Sequence, residues 1–419
     1  MQIEKPIYGG SFLGRVEGKA TFVPLTLPGE EARVRIVGEK RSYATAEPEE
    51  IIKSAPTRIV PQCPHFGACG GCSYQHADYE TQLAWKREIL RESLQRGGVP
   101  AVENIRVLAG QPWHYRNRIR VALDRAGRVG YRGRRSHEIV PIRECPIAAP
   151  LLVQAALGAA ETLRSTKPAF RPTEISLFCN ADETQLLASV FVGSSPTQGF
   201  EKFSEAWKER IPAIDGVELV EEGRPGHEPK QLALWGDPSI HYRVGGIDYR
   251  VDHGAFFQVN RWLIDDLVKL VASDRRGGLA WDLFAGVGLF SRKLADQFSE
   301  VVAIESAPQA KQALNKNLAG TSGTSVASDT LSFLKTYKNA DRPDLIVVDP
   351  PRAGFGPEIS SLLGEISAPH IIYVSCDPAT LARDLRALLD SGYWLASVTL
   401  ADLFPQTFHI ETVVELQRS

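Results

Sequence analysis

The stretch Leu279-Ala280-Trp281-Asp282-Leu283-Phe284-Ala285-Gly286-Val287-Gly288-Leu289 decides the fold of the C-terminal part of this chain. The run to Leu283 reads as a strand. Gly286 and Gly288 then make a turn whose backbone amides can approach a ligand, and a helix is expected from about Leu289. Moving outward, the pattern repeats. Val301-Val302-Ala303-Ile304 is a strand ending at Glu305, and Ser306 and Pro308 open the helix after it. Leu345-Ile346-Val347-Val348 runs into Asp349-Pro350-Pro351-Arg352, and Ile371 to Ser375 runs into Cys376-Asp377-Pro378. Strands alternating with helices from about Asp252 predict a mostly parallel α/β sheet with ligands at the strands' carboxyl ends. The chain closes with a turn from Phe404 into a terminal strand, on which alternation puts His409 and Glu411 on one face.

Each strand end carries a side chain suited to chemistry. Glu305 can accept both hydroxyls of a ribose. Gly-x-Gly by itself fits nicotinamide dinucleotides, S-adenosylmethionine and plain tight turns alike. Asp349 before a rigid Pro-Pro turn narrows the choice, because it sets a carboxylate where a substrate base can lie against the cofactor of a methyltransferase. Cys376, at the start of a helix, is expected to feel the positive end of the helix dipole and to have a lowered pKa. Glu411 is a candidate base. The competing readings are a buried structural cysteine and an exposed strand carboxylate.

With 419 residues, 43% apolar and 23% charged, the chain has the composition of an ordinary soluble protein of two or three domains. No apolar run approaches the ~20 residues that span a bilayer, and the N-terminus lacks the apolar stretch of a signal peptide. A cytoplasmic protein without a membrane partner is expected, and no obligate protein partner is implied. Net charge is −2, but residues 1–150 carry +7 and the remainder −9. A basic front half and an acidic rear half suit an anionic polymer gripped by one part and processed by the other.

Upstream, Tyr8 to about Lys53 alternates short β-like runs with glycines, which predicts a small β-barrel. Cys63, Cys69 and Cys72 follow in Cys63-Pro64-His65-Phe66-Gly67-Ala68-Cys69-Gly70-Gly71-Cys72, with Cys145 supplied from afar. Four thiolates suffice for a tetrahedral zinc or a cubane iron–sulfur cluster, and spacing does not separate the two. Between these cysteines, residues 115–135 hold eight arginines against one acid, Asp124, which sits in a plausible hairpin turn ending at Gly127. Arg116, Arg118 and Arg120 fall on one strand face, interleaved with Tyr115 and Tyr131, a pattern for phosphates and stacked bases. Residues 148–251 read as a mixed α+β region: a helix from Leu151 to Leu163, strands Glu174 to Phe178 and Leu186 to Val192, an isolated Cys179, and a loop from Glu221 to Lys230.

Taken in order, these motifs resemble the RNA 5-methyluridine (uracil-C5) methyltransferases, specifically their RumA/RlmD-like branch that modifies 23S rRNA. The Gly-rich opening, the Leu27-Pro28-Gly29-Glu30 turn and Ser54-Ala55-Pro56-Thr57-Arg58 resemble the TRAM domain, an OB-like RNA-binding module. The four cysteines, Phe256-Phe257-Gln258-Val259-Asn260, Asp349-Pro350-Pro351-Arg352, Ser375-Cys376-Asp377-Pro378 and the His409 to Val413 ending carry the rest. The resemblance implies three domains: a TRAM-like barrel (1–58), a central α+β domain with the cluster and the basic hairpin (59–250), and a Rossmann-like class I methyltransferase domain (251–419). It implies S-adenosylmethionine contacts at Gln258, Phe284, Glu305, Asp329 and Asp349, and a [4Fe-4S] cluster on Cys63, Cys69, Cys72 and Cys145. It also implies that Cys376 is the nucleophile and Glu411 the general base. Cytosine-specific relatives carry a second cysteine beside the Asp-Pro position; Pro351 and Arg352 stand there here, which favours uracil. The chain departs from the family at Leu289, where many members carry a polar residue. The expected activity is 5-methyluridine formation in RNA, with 23S rRNA as first substrate. The alternatives are tRNA, or a catalytically inactive RNA-binding or folding factor.

Overall fold

The computed structural model describes residues 1–193, 196–223, 229–337 and 341–418. Residues 1–53 form five strands in the order Ile3–Pro6, Ser11–Val16, Lys19–Pro24, Tyr43–Lys53, Glu31–Glu39. The sheet closes on itself as a barrel: Gln2 bridges Glu31, and Ile3 N donates to Glu30 O at 2.9 Å. The Leu27 to Glu30 turn is held from within. The buried Glu30 carboxylate accepts from Leu27 N and takes both Nε and Nη2 of Arg58 at 2.5 and 2.7 Å, a paired arrangement that fixes the chain's exit from the barrel.

The central sheet has seven strands, ordered Lys230–Gly236, Ile214–Glu221, Leu186–Val192, Pro172–Cys179, Arg118–Leu123, Val129–Arg132, Ile139–Pro141. Helices Pro150–Thr166 and Phe200–Arg210 cover one face, where Ile175, Leu177, Val190 and Trp207 are fully buried. Period-2 alternation turns Arg118, Arg120, Ser176 and Phe178 to the opposite face. The expected helix, both strands and the Asp124 turn are present; Asp124 accepts from Ala126 N and Arg128 N at 2.9 Å each. The expected loop from Glu221 to Lys230 lies partly outside the described residues.

The third sheet positions the candidate site. Its order is Gly323–Ala327, Phe298–Glu305, Gly277–Leu283, Leu345–Val348, His370–Ser375, Glu411–Gln417, Trp394–Ala401, Ile105–Leu108. The first five strands are mutually parallel and Glu411–Gln417 enters antiparallel, the mostly parallel, doubly wound Rossmann-like sheet that the sequence predicts. Ala280, Val347, Ile372 and Val374 pack on one face and Trp281, Ile346, Ile371 and Tyr373 on the other, so both faces are dry. One strand comes from elsewhere: Ile105–Leu108, within the stretch read as central, pairs parallel with Trp394–Ala401 and completes the sheet's far edge. Helix Tyr79–Arg96 packs beside it, with Ile89, Leu90 and Leu94 buried against the C-terminal core. No local pattern marks this crossing, because a four-residue strand gains its place from the edge it covers.

Candidate active site and thiol cluster

Parallel register assembles the site. Leu283 lies opposite Ile304 and Val348, Ile304 opposite Val326, and Val348 opposite Tyr373. Five strands therefore end at one level, and the residues at or just beyond those ends, Phe284, Glu305, Asp329, Asp349 and Cys376, share one rim. Phe284 takes φ +77°, strained for a residue with a Cβ, while its N–H and that of Ala285 both donate to Ile304 O. The Glu305 carboxylate accepts from Gly286 N at 2.8 Å and Ala307 N at 2.6 Å, which orients it and leaves outward lone pairs free for hydroxyl donors. Asp329 is exposed and caps the next helix, accepting from Ser332 N at 2.9 Å, which lowers its pKa. Gln258 Nε2 donates to Asp349 Oδ2 at 3.5 Å, and Asn117 Nδ2 holds the Gln258 carbonyl at 2.9 Å. Leu289 is buried in the core, so that position offers an apolar wall instead of a polar side chain.

The antiparallel partner brings in the base. Ser375 pairs with Thr412, so Glu411, at the start of its strand, flanks Cys376. The charges act on one another. Burial raises the Glu411 carboxyl well above its ordinary pKa, with Asp349 adding to the effect and Arg352 opposing it. Asp349 is pushed up to about 7 by burial and then by the charge of Asp282. Asp282, itself raised to about 6 by burial, is hydrogen-bonded to Ser291.

Cys376 corrects a sequence expectation. Its thiol is pushed up to about 12, by burial first and then by Glu411 and Asp349, with Arg352 pulling the other way. The helix end is already occupied: the Asp377 carboxylate accepts from Ala379 N at 2.9 Å and Thr380 N at 3.0 Å, so the first-turn amides face a carboxylate and not the sulfur. Alkylation of Cys376 by iodoacetamide in the free protein is therefore expected to be slow at neutral pH. It should rise about tenfold per pH unit toward pH 12, following the thiolate fraction. At pH 9, above the value of about 7 to which Asp349 is pushed, Asp349→Asn should speed it by removing a repelling charge. Mass spectrometry of the Cys376 peptide measures both, and a rate already flat at pH 8 would contradict the burial.

His409 lies just before the terminal strand, in the turn, so strand alternation does not govern it. It packs on Phe404 and Phe408, and Arg352 Nη2 approaches its Nδ1 at 3.4 Å; burial and the cations Arg352, Arg116 and Lys86 lower its pKa to about 4. Sequence reasoning missed Tyr8. Its hydroxyl, on the barrel, approaches the Cys376 carbonyl at 3.5 Å across 368 positions, and its ring meets Phe408 edge-on. It also missed the buried pair Lys86–Asp402 at 2.6 Å, which ties helix Tyr79–Arg96 to the turn preceding Glu411. Contacts this remote leave no periodic trace in sequence.

The four cysteines converge on one cavity of about 410 Å³, lined also by Arg116, Arg118 and Tyr131. Burial raises the Cys63 thiol, and pushes Cys69 up to about 11 and Cys72 up to about 12; the charge of Cys145 adds to each. Among the described residues no three His, Cys, Asp or Glu side chains converge tightly enough for a single metal ion. The four thiols line one shared volume.

The basic hairpin differs from expectation in two respects. Tyr115 is fully buried, donating to Pro405 O at 3.1 Å, so its ring offers no face for stacking, and the half-buried Tyr131 turns its hydroxyl to the Cys145 sulfur. Asp124 is not the only counter-charge: Glu174 and Glu222 pair with Arg120, Glu174 also with Arg132, and Glu47 of the barrel with Arg134 and Arg135.

Comparison with known proteins now bears on this arrangement. A family model described as tRNA (Uracil-5-)-methyltransferase matches residues 242–419, and the TRAM domain model matches residues 2–48. An uncharacterized RNA methyltransferase of Streptomyces coelicolor is 33% identical, over 98% of this chain and 90% of its own. The 23S rRNA (uracil(1939)-C(5))-methyltransferase RlmD of Shewanella denitrificans is 30% identical, over 96% of this chain and 92% of its own. The chain belongs to the RNA uracil-C5 methyltransferase family. The family's fold is present along its whole length: the Pyrococcus abyssi tRNA (uracil-54, C5)-methyltransferase, solved in complex with S-adenosyl-L-homocysteine, matches with TM-score 0.79 over 99% of both chains at 23% identity. Among the described residues no helix is long and apolar enough to cross a membrane.

Proposed function

We propose that the protein methylates C5 of a uracil in RNA, with 23S rRNA as the first candidate substrate, using Cys376 as nucleophile and Glu411 as general base. The observation that supports this most strongly is the register of Ser375 with Thr412, which sets the thiol and the carboxyl beside one another above Asp349. S-adenosylmethionine, when bound, supplies an electrophilic methyl group on a sulfonium. Glu305 is suited to its ribose, Phe284 and Asp329 to its adenosine end, and Gln258 and Asp349 to the reacting end. Uracil C5 is a poor nucleophile unaided. Bonding of Cys376 Sγ to C6 moves an electron pair onto C5 and O4, which makes C5 reactive toward a methyl donor. Glu411 then takes the C5 proton, the Sγ–C6 bond breaks, and the thiolate is recovered. The closed, dry site raises both pKa values and each charge disfavours the other, so Cys376 must lose its proton before it adds to C6 and Glu411 must be ionised when it takes the C5 proton. Reaching C5 and C6 requires the base to leave its stack, since stacking hides both atoms.

The four cysteines are proposed to hold a [4Fe-4S] cluster as a structural tie between the segment after the barrel and the central sheet, in a reducing, cytoplasmic setting. The name of the Shewanella relative favours 23S rRNA, whereas the Pyrococcus structure is of a tRNA enzyme, so tRNA is the second reading. The deciding experiment offers undermodified 23S rRNA and tRNA in parallel, with labelled S-adenosylmethionine and nucleoside mass spectrometry. 5-Methyluridine in the 23S pool is expected. Its appearance in tRNA alone moves the substrate, and none in either pool leaves an RNA-binding factor.

A further inference from the structure

A second cavity, of about 600 Å³, lies where the uncovered face of the central sheet meets the C-terminal part, and the reaction above makes no use of it. Its size is that of a small-molecule pocket. Part of its wall is flat and cationic: the Arg118 guanidinium lies 4.4 Å over the Phe178 ring and that of Arg120 lies 4.1 Å over Phe191. Among the described residues no carboxylate pairs with Arg118, whose Nε has no hydrogen-bond partner. On the same wall Asp252, 8% exposed, gives one carboxylate oxygen to Arg250 at 2.7 Å and leaves Oδ2 unpartnered. His253 meets Glu218 at 3.5 Å through Nδ1 and leaves Nε2 unpartnered. Buried polar atoms without partners are costly, about 1–3 kcal/mol each, so a cavity wall that holds an unsatisfied donor and an unsatisfied acceptor is suited to a polar occupant.

The position of the cavity narrows the occupant. His253 is followed by the segment whose Gln258 reaches Asp349, and five extended residues span at most roughly 18 Å. Arg118 itself holds that segment, donating to Ala255 O at 2.7 Å. We propose that this cavity is a second base-binding subsite, which takes one unpaired nucleotide of the RNA substrate lying a few nucleotides from the target uracil. The guanidinium plates on Phe178 and Phe191 are stacking surfaces for the base, the Asp252 and His253 side chains on the same wall are suited to its hydrogen-bonding edge, and the positive charge of Arg118 favours its phosphate. The stacked Arg118 and the stacked, ion-paired Arg120 are thereby explained as a preformed wall, in place of the free basic strip suggested by sequence.

This inference rests on the uracil-methyltransferase reading, and the test separates the two. An unmodified RNA stem-loop that the wild-type protein methylates is made with an abasic nucleotide at each position flanking the target, one at a time. Affinity is measured for the wild type, for Asp252→Asn, and for Gln312→Trp, which fills the cavity from the exposed helix at its rim. One flanking position is expected to lose roughly tenfold in affinity when abasic with the wild type and nothing further with either variant, while S-adenosylmethionine binding stays unchanged. Methyl transfer by the wild type, with abasic losses that are the same in all three proteins, overturns the subsite alone. Absence of methyl transfer to any RNA overturns the reading on which it rests.

Discussion

Replacing Cys376 with alanine is expected to abolish 5-methyluridine formation, by at least about 10⁴-fold, while RNA and S-adenosylmethionine still bind, because no other group in the site can add to C6. Glu411→Gln is expected to fail differently. Losing a positioned base costs about 10²–10⁴ in rate, but addition to C6 is untouched, so the protein should accumulate bonded to methylated RNA. Denaturing electrophoresis distinguishes the cases: a band of protein plus RNA with Glu411→Gln, free RNA with Cys376→Ala. The same band absent from Glu411→Gln, or normal methylation without Cys376, would exclude the covalent route. The thiol's raised pKa sharpens the contrast, since the Cys376 proton must leave before the bond forms, and Asp349 and Glu411 both disfavour the thiolate until the site is charged differently.

The second large effect is one of stability. Lys86 and Asp402 are both fully buried; Lys86 also donates to Phe404 O at 2.9 Å, and Tyr79 donates to Asp402 Oδ2 at 2.9 Å. Burial alone lowers the Lys86 pKa, and Asp402 opposes that shift. Asp402→Ala leaves an ammonium group without its counter-charge in a dry interior, at a cost of about 3–5 kcal/mol. The double change Lys86→Met with Asp402→Leu should recover most of that loss, because two apolar groups replace two desolvated charges. Turnover is expected not to recover with it. The pair anchors the turn that Gln82, Tyr115 and Asn260 also hold and that leads into Glu411, and small misplacement of a catalytic group costs on the order of 10²-fold. Thermal unfolding and kinetics on the three proteins read the two effects separately. Equal stability of Asp402→Ala and the wild type would mean that the ammonium finds another partner.

Much of the catalytic half was legible because its determinants are local. Leu279 to Leu283 and Leu345 to Val348 are short apolar runs that can only be buried strands here, and each is followed by residues that stop a strand. Parallel strands that begin from similar turns end at a common level, so Phe284, Glu305, Asp349 and Cys376 meet without any special provision. The pairing of Cys376 with Glu411 was recoverable only through the family resemblance. In the fold it follows from one antiparallel register, which a slip of one residue would destroy.

The sequence by itself determined the strand and helix order, the barrel at the front, the four cysteines and the chemistry-bearing ends of the strands, since period and turn chemistry act within a few residues. The tertiary structure alone decided what those groups experience. It buried Tyr115 instead of presenting it, paired Arg120 with Glu174 and Glu222, raised the Cys376 thiol where a helix end suggested lowering, and lent Ile105–Leu108 to the distant sheet. Desolvation and charge pairing depend on which surfaces meet, and surfaces from residues hundreds of positions apart meet only once the chain has folded.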